Sequence, residues 1–191
     1  MPGAKKNIYL IGPMGSGKTT IGSRLAQKMG LTFYDSDREI ETRTGVSVNL
    51  IFDIEGEAGF RKRERKILKE LSALEGVLVA TGGGTVVSQS NRDLLRNSGL
   101  VIYLRTSVNQ QLERLGRDRS RPLLQTKNRE FKLTQLAEDR NPLYEELADL
   151  VFPVKNRNID STVDHIYHSI CHYQDQSSSG PNNPHMSGSE A

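Results

Sequence analysis

A three-layer α/β fold, five parallel strands flanked by helices, is what this sequence predicts. Two observations lead there. Short apolar stretches alternate along the chain with amphipathic helical patterns, and a glycine-rich loop joins the first such stretch to the first helix. Strands and helices alternating at this spacing imply a parallel sheet covered on both faces, because each parallel pair needs a crossover. The chain shows no internal repeat.

Taken in order, Asn7 to Ile11 is a short buried strand, and a helical pattern runs from Lys18 to Met29. Thr32 to Asp35 is the second strand, followed by a helix from Asp37 to Thr44. Between Gly56 and Leu74, Phe60, Ile67, Leu68, Leu71 and Leu74 recur among Arg, Lys and Glu, as on an amphipathic helix. Val77 to Thr81 is the third strand and enters Gly82-Gly83-Gly84. Asn91 to Asn97 is helical, Leu100 to Leu104 is the fourth strand, and Val108 to Leu115 is helical again. Arg129 to Leu147 holds a longer helix interrupted near Pro142, and Leu150 to Val154 is the fifth strand. Gly116 to Asn128 is arginine-rich without apolar periodicity, which suggests a mobile loop. Gln174 to Ala191 is Ser-, Gly-, Pro- and Asn-rich with almost nothing to bury, and is expected to be a flexible tail after a single domain over residues 1–173.

The 191 residues suffice for one sizeable core. A formal charge of +3 permits an anionic ligand without arguing for nucleic acid or membrane. The single cysteine, Cys171, excludes an internal disulfide and fits a reducing compartment. No apolar run reaches the roughly 18 residues of a membrane span. The N-terminal segment passes into the glycine-rich loop instead of a cleavage site, so a cytoplasmic location is expected.

Gly12-Pro13-Met14-Gly15-Ser16-Gly17-Lys18-Thr19 fits G-x-x-x-x-G-K-[ST] at every fixed position. Glycines let the backbone curl until its N–H groups face phosphate oxygens, and the following helix points its positive end at the same anions. Lys18 suits the outer phosphates of a nucleoside triphosphate, and the Thr19 hydroxyl suits a magnesium ion. The loop alone leaves open whether phosphate passes to water, to an alcohol or to another nucleotide.

Asp35 and Asp37 close the second strand, at the sheet edge where ligands of such folds gather. One acid can support the metal shell while the other takes the proton of an attacking hydroxyl; Asp and Ser are also favoured as helix N-caps, and Asp37 is expected to cap the next helix. Three glycines, 82 to 84, follow the third strand, where backbone can approach a ligand closely. Together with Phe52, Gly56-Glu57, Phe60-Arg61, Glu64, Arg121-Pro122-Leu123-Leu124 and Arg140-Asn141-Pro142-Leu143-Tyr144, these motifs make the chain resemble shikimate kinases over residues 7 to 172.

That resemblance implies a P-loop kinase fold like that of the nucleoside monophosphate kinases, and transfer of phosphate from ATP to the 3-hydroxyl of shikimate with Mg²⁺ as cofactor. It implies catalytic Lys18, Asp37 and Arg121, the last from a lid over residues 116–128. The acceptor-binding segment lies at about residues 37–64. Arg61 and Arg140 would hold the substrate carboxylate, a task suited to a forked guanidinium. Asp37 would bind the shikimate hydroxyls, Gly82, Gly83 and Gly84 would line the ring with backbone N–H groups, and Phe52 and Phe60 would pack on its apolar edge. ATP would engage Gly15, Ser16, Gly17, Lys18, Thr19 and Thr20, with Arg121 on the transferring phosphate and Arg114 and Arg157 flanking the adenine. Thr19 and Asp35 would serve the metal, and Glu64 would orient Arg61. A monomer without nucleic-acid or membrane partners is expected. The rivals are a kinase of another polyol acid, such as gluconate, and a non-catalytic nucleotide switch. His165, His168 and His172 form one stripe opposite Val163, Ile166, Tyr167, Ile170 and Tyr173, so they should face solvent on a C-terminal helix without binding zinc.

Overall fold

A computed structural model describes residues 7–115, 128–154 and 158–178. The chain begins with β1 (Asn7–Ile11), α1 (Lys18–Met29), β2 (Thr32–Asp35), α2 (Ser36–Thr44), α3 (Val48–Ser72) and β3 (Val77–Ala80). A 3-10 turn at Thr85–Val87 leads to α4 (Gln89–Ser98), β4 (Gly99–Arg105), α5 (Val108–Leu115), α6 (Arg129–Leu147), β5 (Leu150–Pro153) and α7 (Ile159–Ser178). All five strands pair in parallel in the order β2-β3-β1-β4-β5.

The strand period of two divides the core. On β1, Ile8 and Leu10 join Leu25 of α1 and Ile166 and Ile170 of α7, while Tyr9 and Ile11 join Leu68 and Leu71 of α3, Leu95 of α4 and Tyr144 of α6. β1 is buried along its whole length, as a central parallel strand must be. The carboxyl ends of β1, β2 and β3 therefore open side by side between α1, α2 and α3, where the motifs sit.

Several elements depart from expectation. The helical stretch predicted from Gly56 begins at Val48, and Gly56 (φ 68°, ψ −177°) breaks it into two pieces. Glycine permits that left-handed φ, so the kink swings Phe52 round onto Phe60, ring centroids 4.8 Å apart. Helix α6 passes through Pro142 uninterrupted: the ring lies on the exposed side, while Arg140, Tyr144 and Leu147 hold both halves against the core. Helix α7 runs to Ser178, so the first five residues expected in the tail are helical. His165, His168 and His172 are exposed, opposite buried Val163, Ile166 and Ile170. Residues 179–191, and the expected lid apart from Asn128, lie outside the described residues. No helix among the described residues is long and apolar enough to cross a membrane.

Candidate active site

Two adjoining clefts meet at the carboxyl end of the sheet. In the first, the loop from Gly12 to Thr19 wraps the start of α1, with Gly12, Gly15 and Gly17 all at positive φ. A side chain at Gly12 would also strike the Leu104 carbonyl at 2.7 Å. The Lys18 ammonium folds over the loop and donates to the Gly12 and Pro13 carbonyls at 2.8 Å each and to Ser16 Oγ at 3.3 Å. Gly15, Gly17, Lys18, Thr19, Thr20, Asp35 and Asp37 line this cleft, which holds about 1360 Å³ of empty space. Ser16 is buried beneath the loop instead of lining it. Arg114, expected beside adenine, donates to the Gly15 carbonyl at 2.9 Å. Arg121 and Arg157 lie outside the described residues.

Asp35 joins two elements. Its Oδ1 caps α2 by accepting from the Asp37 and Arg38 N–H groups at 3.1 and 3.3 Å, and its Oδ2 accepts from the Thr19 hydroxyl at 2.6 Å. Asp35, and not Asp37, is therefore the cap of α2, and the same carboxylate holds the Thr19 hydroxyl. Thr19 and Asp35 present hard oxygens side by side, the donors magnesium takes when phosphates and water complete its shell. Among the described residues there is no cluster of three or more His, Cys, Asp or Glu that could hold a metal.

The second cleft, of about 470 Å³, is lined by the expected acceptor set: Asp37, Phe52, Phe60, Arg61, Gly82, Gly83, Gly84 and Arg140. Two of the glycines have a steric reason. A Cβ on Gly82 would stand 2.8 Å from an Asp37 oxygen and 2.9 Å from a Glu64 oxygen; one on Gly84 would overlap the Arg61 guanidinium at 2.1 Å. Arg61 donates to Glu64 and to Glu57, both at 2.9 Å, with its planar group over the Phe60 ring. Burial opposes the Arg61 charge, but the Glu64 and Glu57 carboxylates outweigh it and hold the guanidinium pKa above its usual value. Glu64 is fully buried, and its other oxygen accepts from the Thr85 hydroxyl at 2.7 Å. It orients Arg61, as expected.

Residues that sequence reasoning passed over also meet here. Met14, an unconstrained position of the loop motif, lines both clefts, and so does Val48. Ser36 Oγ accepts from the Gly82 N–H at 3.0 Å, so that N–H does not face the acceptor as the resemblance implied, and buried Tyr144 donates its hydroxyl to the Gly83 carbonyl. Ser36 was the spacer of the acidic pair and Tyr144 the last residue of a motif, and neither position signalled a contact with the glycine turn.

A family model for shikimate kinase matches residues 14–171. This chain belongs to the shikimate kinase family. Shikimate kinases of Actinobacillus pleuropneumoniae serotype 5b and Thiobacillus denitrificans are 51% and 54% identical to it, over 89% and 81% of this chain and 98% and 85% of theirs. Shikimate kinase from Acinetobacter baumannii, solved in complex with shikimate, superposes with a TM-score of 0.86 at 45% identity, covering 88% of this chain and 94% of that one. A gluconokinase from Sinorhizobium meliloti, at 18% identity and TM-score 0.61, shares the fold alone. The chain is an enzyme, an ATP-dependent kinase of shikimate in aromatic biosynthesis.

Proposed function

We propose that the chain transfers the γ-phosphoryl group of ATP to the 3-hydroxyl of shikimate, giving 3-phosphoshikimate and ADP, with each cleft holding one substrate. The observation that carries this reading is the joint lining of the second cleft by Asp37, Arg61, the glycine turn and Arg140, open to the phosphate loop through Met14, Asp37 and Gly83. Arg61 and Arg140 pair with the acceptor carboxylate, and Phe52 and Phe60 cover the ring edge. The Asp37 carboxylate receives the hydroxyl proton as the oxygen bonds to the γ-phosphorus and the bond to the β-phosphate oxygen breaks. Lys18 and the loop N–H groups stabilise charge spreading over the phosphoryl oxygens.

Thr19 and Asp35 would hold Mg²⁺, which when bound neutralises nucleotide phosphate charge. Arg114, Arg121 and Arg157 are assigned to the nucleotide on the family resemblance. The enzyme works as a cytoplasmic monomer, without nucleic acid or membrane. Coupled ADP release, measured with shikimate, quinate, gluconate or no acceptor, tests the assignment: shikimate should stimulate release well above background. Stimulation by gluconate and not by shikimate would overturn it.

A further inference from the structure

Gly83 and Gly84 form the floor of the acceptor cleft, yet glycines have little intrinsic preference to hold one peptide orientation. Something else must set it. The Gly83 carbonyl accepts from the hydroxyl of Tyr144, a side chain only 1% exposed. Tyr144 is itself fixed by stacking on buried Tyr103, centroids 5.0 Å apart and planes at 25°, whose hydroxyl donates to Asn141 at 3.3 Å. Arg140, which lines the cleft, precedes Tyr144 by one turn of α6, so both project from the same helix face.

The carbonyl of one residue and the N–H of the next belong to a single planar group, and in a trans peptide they point in opposite directions. No peptide bond among the described residues is cis. With the Gly83 carbonyl turned down to the core, the Gly84 N–H must turn the other way. Neither the Gly83 nor the Gly84 N–H meets an acceptor among the described residues, whereas the Gly82 N–H is taken by Ser36.

We propose that Tyr144 is a positioning residue for the acceptor: its hydroxyl locks the peptide between Gly83 and Gly84 so that the Gly84 N–H faces shikimate, in register with Arg140 from the same helix. This rests on the second cleft being the acceptor site. Burial pushes the Tyr144 hydroxyl pKa well above its ordinary value, with the Arg140 charge offsetting part of the shift, so the phenol remains a donor at any working pH. The effect on binding is the worth of an aimed hydrogen bond, and it falls on the acceptor alone.

Tyr144→Phe keeps the ring and its stack and removes only the lock. The shikimate KM should rise roughly three- to tenfold while the ATP KM stays put. A purely structural role would behave differently, since a partly unfolded population lowers kcat without moving either KM. A second measurement uses the natural protein. The chain contains one run of consecutive glycines, residues 82–84. Labelling glycine with ¹³C at the carbonyl and ¹⁵N at the amide, then selecting amides preceded by a labelled carbonyl, isolates the Gly83 and Gly84 N–H groups from all others. Adding shikimate should move the Gly84 signal strongly. If Tyr144→Phe fails to fold, a strong Gly84 shift in the natural protein supports the aimed N–H, and an unmoved Gly84 signal overturns the lock. An unchanged shikimate KM in a folded Tyr144→Phe enzyme whose glycine signals respond to shikimate would overturn the lock alone. Glycine signals of the natural protein that ignore shikimate would overturn both the lock and the acceptor cleft.

Discussion

Arg61 is held on three sides, by the Glu64 and Glu57 carboxylates and by the bare α-carbon of Gly84. A planar fork uses all three, because one edge can face Glu64 while the other meets a second carboxylate. Arg61→Lys keeps the charge and loses the fork, so the shikimate KM should rise about tenfold or more with the ATP KM unchanged, as steady-state kinetics with each substrate varied would show. Equal effects on both substrates would place Arg61 outside the acceptor site. At this scale much of the site was legible. The registry of Arg61 with Phe60 and Glu64 picked it out of a run of basic residues. What was not legible were contacts made across the chain. Tyr144 meets Gly83 over a separation of 61 residues, and no local pattern announces such a pairing. Arg114 was assigned by resemblance to adenine, and its hydrogen bond to the Gly15 carbonyl depends on how α5 packs beside the loop.

Helix boundaries were most legible where backbone chemistry punctuates them. Glycines in the left-handed region flank α1 on both sides, and its predicted span matches the observed one. The first half of α3 was not legible, because exposed Leu50 and Ile54 blur the short stripe of Val48, Ile51 and Phe52 that faces the core; Phe52 and Val48 also reach the cleft. Packing of α1 on the sheet depends on Gly22, where a Cβ would meet Phe33 at 2.8 Å, Leu10 at 3.0 Å and Leu78 at 3.2 Å. Gly22→Ala should therefore destabilise the fold by about 1–2 kcal/mol, the overpacking strain exceeding the gain in helix propensity. Urea unfolding would register the loss, and the shikimate KM should not move. A more stable Gly22→Ala protein would mean that the sheet yields without strain.

For the molecule as a whole, the stacked phenols beneath the acceptor cleft tie stability to alkaline pH. Burial first, then the Glu145 charge, pushes Tyr103 from 10.0 up to about 12, and burial raises Tyr144 as well. The unfolded chain gives up these protons near the ordinary value, while the folded chain keeps them. Their contribution is thus complete below about pH 10 and lost as pH climbs towards 12, where the folded phenols also ionise. Urea midpoints taken between pH 9 and 12 should fall across that window, and Tyr103→Phe should flatten the fall; a slope unaffected by the substitution would assign it to other groups. The sheet order carries a different consequence, one of timing. Strand β1 is encoded first but lies in the middle, between β3 and β4, and the apolar stripe of α1 is covered by α7, the last helix. During synthesis the phosphate loop has its residues in place long before the partners that shape it, and must wait for nearly the whole chain to emerge. Nucleotide affinity should accordingly arrive late and all at once, as a property of the finished molecule that its first forty residues cannot express.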